Sequence, residues 1–297
     1  MTFSLTLELG AASGAPTFRI PQSPLWCDMP YCTLNDGANL SYESCGRGNP
    51  LLFIHGWSFN AGIWKGQIEH LRDQFQIIAV DLRGHGKSEK GEDRPSFQQF
   101  ASDLNYLIKR LELNKVNVVG WSMGGAVAIR LFFLCPEQLQ SLTLVSATPS
   151  LIQREGFPHA LPLAVVKRLK AQVKRDHLKA LKAFRDLILS PEEEGLDTIG
   201  AAKEILSQGF NGSQKTSESS LVALMEEDLR ASLDKLSLPT LIIHGDKDRI
   251  CLPGAAVYLN EKVQGSKLLM LKECGHAPFL TYPLQFRAGL TRFLHSL

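Results

Sequence analysis

The sequence lacks any C-x-x-C pair and any cysteine–histidine spacing that would hold zinc. Its six cysteines, Cys27, Cys32, Cys45, Cys135, Cys251 and Cys274, are scattered through 297 residues. That argues against a zinc site and a disulfide scaffold and fits a reducing, cytoplasmic setting. No apolar run approaches the roughly 20 residues that a membrane helix needs. The charge order of a secretory signal is missing too, since residues 1–15 place Glu8 inside their apolar run and no Lys or Arg ahead of it. Global charge is small: 32 Lys and Arg against 30 Asp and Glu leave +2, too little to hold nucleic acid or anionic lipid across the whole surface. What is present is an ordinary globular composition, 44% hydrophobic, enough for one large core or two small ones, which excludes a disordered tail or a fibre.

Residues 11–25 are rich in Ala, Gly, Ser and Pro, so 1–28 read as a flexible arm ahead of a second methionine, Met29. From Pro50 the chain alternates short apolar runs with stretches of helical spacing. The runs at 51–55, 76–82, 116–119, 139–146, 240–244 and 267–271 are mostly too continuous for half-exposed strands and fit buried parallel ones. The stretches 63–75, 97–113, 124–134, 255–263 and 283–297 predict helices between them. Ahead of these, 31–34 and 39–45 predict a hairpin around Asn35-Asp36-Gly37. The pattern predicts an α/β fold with a mostly parallel sheet, a core built from 29–149 and 237–297, and an inserted helical cap over 150–236. Inside that insertion, 167–185 holds eight cations against one carboxylate, Asp176, so the small net charge conceals a dipolar molecule.

Gly120-Trp121-Ser122-Met123-Gly124 follows one predicted strand and opens a predicted helix. G-x-S-x-G in that setting matches a turn that lifts a serine nucleophile into solvent at a helix N-terminus. A serine hydroxyl needs a base, and the base needs a group that fixes its tautomer. Of the eight histidines, His276 alone lies in a loop after the last predicted strand, which makes it the candidate base. Asp248 is the candidate acid in preference to Asp246, because it lies further beyond its strand and can reach an imidazole on the next loop. The position after 139–146 offers no carboxylate until Glu155. Two N–H donors are expected for a developing oxyanion: Met123 at the helix start, and Trp57 in the loop after 51–55. For the rings of Trp57 and Trp121, packing and function remain equally open, and His55 reads as an anchor for its loop. The glycines of 81–88 match neither phosphate-binding spacing, so that loop reads as structural.

In order along the chain, His55-Gly56-Trp57, the 81–88 loop DLRGHGKS, GWSMGG at 120–125, HGDKD at 244–248 and GHAPF at 275–279 resemble the α/β-hydrolase superfamily over nearly everything from Met29 onward. The serine turn, Ser146-Ala147-Thr148-Pro149, Gly156-Phe157-Pro158 and the 274–279 loop look more closely like pimeloyl-acyl-carrier-protein methyl ester esterases of biotin synthesis. Members of that family release methanol from a carrier-bound pimeloyl methyl ester and bind the acidic carrier through basic cap residues. The resemblance implies Ser122, Asp248 and His276 as a triad, Trp57 and Met123 as oxyanion donors, and Trp57 and Phe184 against the substrate. It implies carrier contacts from Lys167, Lys170, Lys174, Arg175, Lys179 and Lys182. The chain departs from the family in offering lysines at 179 and 182, where arginines are usual, so attraction there rests on charge without a bidentate fork.

The residues agree with this independently. Val166, Leu169 and Val173, then Leu181, Phe184 and Ile188, recur at helical spacing and are expected to face the cleft, leaving the lysines outward. A solvated basic helix face is the plainer explanation of the same lysines. No motif calls for a metal or cofactor, and no nucleic-acid or membrane partner is expected; the chain is expected to be a monomer. The competing functions are a hydrolase of free esters, lactones or carbon–carbon bonds, and a non-catalytic receptor on the same fold. Dehalogenase and epoxide hydrolase chemistry would need an aspartate where Ser122 stands.

Overall fold

The computed structural model describes residues 29–91, 96–209 and 212–297; the arm expected over 1–28 lies outside them. Eight strands follow the apolar runs: β1 (Tyr31–Thr33), β2 (Asn39–Cys45), β3 (Asn49–Ile54), β4 (Phe75–Val80), β5 (Val116–Trp121), β6 (Leu139–Val145), β7 (Thr240–Gly245) and β8 (Lys267–Leu271). They form one sheet in the order β1-β2-β4-β3-β5-β6-β7-β8. β2 is antiparallel to both of its neighbours, and every pairing from β4 to β8 is parallel. Every residue of β5 and β7 is buried, which is why their sequences run apolar without alternation. The expected hairpin joins β1 to β2, with Thr33 opposite Asn39 and Gly37 taking φ +83° in the turn.

The helices are α1 (Lys65–Leu71), α2 (Phe97–Arg110), α3 (Met123–Leu134), α4 (Leu163–Arg175), α5 (His177–Ile188), α6 (Ile199–Gln208), α7 (Gln214–Glu226), α8 (Pro253–Lys262), α9 (Pro278–Thr281) and α10 (Pro283–Leu294). α2 starts at Ser96, whose hydroxyl accepts from the Gln99 N–H, and buries Phe97, Phe100, Ala101, Leu104, Leu107 and Ile108. The helix expected over 63–75 is shorter than its periodicity suggests. A 3₁₀ turn at Ala61–Trp64 leads into α1, which stops at Leu71, because Phe75 is taken up by β4 opposite Asn49 of β3.

Between β6 and β7 the described residues carry α4 to α7 and no strand, only two isolated bridges near 152–161. Asp176 separates α4 from α5 and caps the latter by accepting from the Lys179 N–H at 3.1 Å. α4 packs against α5 and α7. The chain leaves the carboxyl ends of β5, β7 and β8 into the three loops that carry Ser122, Asp248 and His276, which is the side of a parallel sheet where binding crevices form.

Candidate active site

Ser122 is the single residue between β5 and α3, at φ 54° and ψ −115°. A side chain rarely tolerates such a backbone, and it persists here because the surroundings impose it. The Ser122 N–H donates to the Val145 carbonyl at 2.9 Å, and its own carbonyl accepts from the Gly125 N–H at 3.0 Å. A Cβ on Gly120 would lie 2.3 Å from the Gly124 carbonyl oxygen, and one on Gly124 would lie 2.4 Å from that of Ile54. Strand and helix thus meet backbone to backbone, and the two glycines flanking the serine are steric requirements.

Asp248 and His276 are both almost wholly buried, with Nδ1 of His276 2.7 Å from Oδ2 of Asp248. Nδ1 therefore carries the proton and donates it to the carboxylate. The other carboxylate oxygen accepts from the Ile250 and Cys251 N–H groups at 2.8 and 3.0 Å. Burial pushes the Asp248 carboxyl up, but His276 and His244 beside it outweigh that and hold it below the usual carboxylate range. His244 Nε2 lies 2.7 Å from the Cys251 carbonyl oxygen and 3.3 Å from Oδ2 of Asp248. Asp248, and not Asp246, meets the imidazole; the Asp246 N–H donates to the Leu271 carbonyl in the turn. Nε2 of His276 is buried and has no hydrogen-bond partner. Serine and imidazole are thus not hydrogen-bonded to each other.

The N–H of Met123 is at the first position of α3, where no intrahelical acceptor exists. Neither it nor the Trp57 N–H donates to another backbone carbonyl among the described residues. Both residues line the same cavity as Ser122. The two tryptophan rings have definite partners. Trp57 Nε1 donates to the Ser217 carbonyl at 3.0 Å, and its ring meets that of Phe184 edge-on at 4.8 Å. Trp121 Nε1 donates to the His276 carbonyl at 2.8 Å. His55 anchors its loop as expected: Nδ1–H donates to the Gly56 carbonyl, Nε2 accepts from the Leu82 N–H, and burial pushes its pKa down to about 4. In the 81–88 loop the Asp81 carboxylate accepts from the Ala61 and Lys87 N–H groups, a structural arrangement.

The cavity measures about 430 Å³ and lies between Ser122 and the inserted helices. Val166, Leu169 and Phe184 of the expected apolar face line it, whereas Val173, Leu181 and Ile188 are buried without facing it. Arg168 and Gln172 of α4 also line it, while none of the α4 lysines does. Lys167, Lys174, Arg175, Lys179 and Lys182 are exposed and Lys170 is half-buried. His244 and Cys251 were not singled out by sequence reasoning, which left the Trp121 ring open between packing and function. The signal for Trp121 was there: a buried indole N–H needs an acceptor, and this one sits within the serine turn.

Residues 49–283 match the family model described as alpha/beta hydrolase fold. The chain belongs to the α/β-hydrolase family. This α/β-hydrolase is 33% identical over 249 residues to the pimeloyl-[acyl-carrier protein] methyl ester esterase of Nitrosomonas europaea, covering 84% of this chain and 97% of that one. It is 30% identical over 275 residues to the AB hydrolase superfamily protein YisY of Bacillus subtilis, covering 90% and 99% of the two chains. Among solved structures, an esterase from Exiguobacterium antarcticum superposes with a TM-score of 0.84 at 30% identity, covering 90% of the α/β-hydrolase and all of that chain. Among the described residues no group of His, Cys, Asp and Glu could hold a metal ion, and no helix is long and apolar enough to cross a membrane.

Proposed function

We propose that this α/β-hydrolase is a serine carboxylesterase that removes the methyl group from pimeloyl-acyl-carrier protein methyl ester in a reducing, cytoplasmic compartment. The observation that carries the esterase reading is the buried His276–Asp248 pair, its Nε2 left without a partner, at the same carboxyl edge of the sheet as a serine held on a strained turn. The mechanism requires the Ser122 hydroxyl to hydrogen-bond to Nε2. Nε2 takes the proton as Oγ attacks the ester carbonyl, and Asp248 stabilises the resulting imidazolium. The N–H groups of Trp57 and Met123 receive the oxyanion. His276 then gives its proton to the departing methoxide, so methanol leaves and the acyl group stays on Oγ. Water attacks the acyl-enzyme, losing a proton to the same nitrogen, and collapse of the second tetrahedral intermediate returns that proton to Oγ and frees the acid.

The pimeloyl carrier is supported by the Nitrosomonas europaea relative's name, by an apolar cavity wall suited to an alkyl chain, and by the exposed lysines of α4 and α5. The test is methanol release from pimeloyl-acyl-carrier protein methyl ester by wild type and by Ser122→Ala. Release that depends on Ser122 is expected. Turnover of free methyl esters with none of the carrier-bound one would favour the second reading, a small-molecule esterase, which the Exiguobacterium antarcticum likeness supports. Native protein that a fluorophosphonate does not label at Ser122 would favour a receptor.

A further inference from the structure

We propose that Glu193 is a positioning residue for His276: a buried carboxylate on the inserted segment that holds the backbone of the loop carrying the imidazole. The inference rests on the reading of His276 as the base. Glu193 is completely buried, so its polar atoms need partners. Its two oxygens are divided between two backbone donors. Oε1 accepts from the Gly275 N–H at 3.0 Å, and Oε2 accepts from the Ser190 N–H at 2.6 Å. One oxygen therefore closes the short turn on which the residue itself sits, and the other reaches 82 residues along the chain to the neighbour of His276.

The surroundings show that this approach is built in. The next N–H along, that of His276 itself, donates to the Ile188 carbonyl at 2.7 Å. Two successive amides thus enter the segment 188–193. A Cβ on Gly275 would lie 2.5 Å from the Ile188 carbonyl oxygen and 2.9 Å from both Glu193 Oε2 and the Ser190 nitrogen, so the loop has no room for a side chain there. The Ser190 hydroxyl donates to the Glu273 carbonyl at 3.3 Å. Arg249, which follows Asp248, donates to the Leu189 carbonyl at 2.7 Å. The loops of the base and of the acid are therefore fastened to one short segment.

That segment continues directly from α5, whose Phe184 and Leu187 line the cavity. Glu193 consequently connects a wall of the binding cavity to the imidazole. A carboxylate supplies acceptors on both oxygens; glutamine offers one, and alanine leaves the Gly275 N–H buried and unpaired. An imidazole displaced even slightly from its working position loses rate, not affinity, because proton transfer depends on the last fractions of an ångström.

The test uses the full chain, purified as Glu193→Ala and Glu193→Gln, with a short-chain methyl ester as substrate. Glu193→Ala should lower kcat roughly 10- to 100-fold while KM stays within about twofold, and Glu193→Gln should recover much of the loss. The downfield NMR resonance of the His276 Nδ1 proton should shift or broaden in Glu193→Ala and return in Glu193→Gln. A folded Glu193→Ala with wild-type kcat and an unmoved resonance overturns the proposal, as does a loss confined to KM. Should Glu193→Ala not fold, Glu193→Asp decides, since it keeps the charge and draws both oxygens back by one methylene: lowered kcat at constant KM supports the clamp, and wild-type kcat overturns it. Wild-type turnover that is lost in Ser122→Ala but kept in Glu193→Ala overturns the clamp alone. Turnover that survives in Ser122→Ala overturns the reading of the site and the clamp with it.

Discussion

The indole N–H of Trp121 donates to the main-chain carbonyl of His276 at 2.8 Å, joining the last residue of β5 to the loop after β8. The two rings also lie 5.4 Å apart, so the residue next to the serine both bonds and packs against the residue that carries the imidazole. One side chain thereby ties the His276 loop to the strand end next to Ser122. Trp121→Phe keeps most of the packing and removes the donor, leaving a buried carbonyl unpaired. The expected result is a stability loss of about 1–2 kcal/mol in urea unfolding and a kcat/KM on a short ester reduced about tenfold. A variant that loses stability but retains kcat/KM would make the bond purely structural.

Asp248 offers a sharper change. Asn at 248 can still accept from the Ile250 and Cys251 N–H groups through one oxygen, but it turns an amide N–H toward Nδ1 of His276. The imidazole must then reverse its tautomer, placing the proton on Nε2 where the base needs a lone pair. Asp248→Asn should lower kcat by roughly 10⁴-fold while leaving the fold intact by circular dichroism. Stability has a defined sign as well. Because the carboxyl is held below its ordinary range, its contribution is complete above the unfolded-state pKa and is lost as pH falls through the folded-state value. Below about pH 4 the wild type should lose stability more steeply than Asp248→Asn.

The sheet and the serine turn were legible because their causes are local. The buried runs of β3 to β7 stay apolar whatever they touch, and the crowding at Gly120 and Gly124 follows from a strand running straight into a helix. The choice of Asp248 over Asp246 followed from reach past the strand end. Other features depend on partners far away in sequence. The helix expected over 63–75 shortened because β3 captured Phe75, and Glu193 gives no sign in its own neighbourhood that its carboxylate meets Gly275. The cavity-facing positions of α4 were half-right: periodicity located the buried stripe at Val166 and Val173, but which edge of the stripe borders the cavity is set by α5 and α7.

Phe184 meets Trp57 edge-on and lines the cavity, so it is a wall and not a participant in the chemistry. Phe184→Ala should enlarge the cavity and destabilise the protein by about 3 kcal/mol, as for other large-to-small changes at buried aromatics. In kinetics with a series of p-nitrophenyl esters, KM should rise for medium acyl chains while kcat for acetate stays near wild type. An equal fall in kcat for all chain lengths would mean that the ring also holds Trp57, the proposed oxyanion donor, in place.

Lys179 and Lys182 are exposed on α5 and test whether its charge serves a partner. Reversing both to glutamate leaves the cavity lining untouched. With carrier-bound substrate, kcat/KM should fall by an order of magnitude or more at low salt, and the difference from wild type should shrink as ionic strength rises and the Debye length contracts. A free methyl ester should be hydrolysed equally by both proteins at every salt concentration. Equal rates on the carrier-bound substrate would assign the lysines to a solvated helix face and remove the electrostatic argument for the carrier.

His55 and His85 face each other in the core with ring centroids 5.1 Å apart. Burial pushes their pKa values down to about 4 and about 3, and for His85 the neighbouring His55 adds to the effect. Both are neutral when folded at pH 7, whereas in the unfolded chain each takes up a proton near pH 6.5. The unfolded state therefore binds more protons between those limits, so stability is full above about pH 6.5 and declines as pH falls toward the folded-state values. At pH 5 the loss should be about 2 kcal/mol for each ring. Chemical denaturation at pH 7 and pH 5 measures it, and His85→Phe, which removes one protonation site, should show about half the wild-type drop whatever its stability at pH 7. An unchanged pH slope in that variant would mean that His85 is not held neutral by the fold.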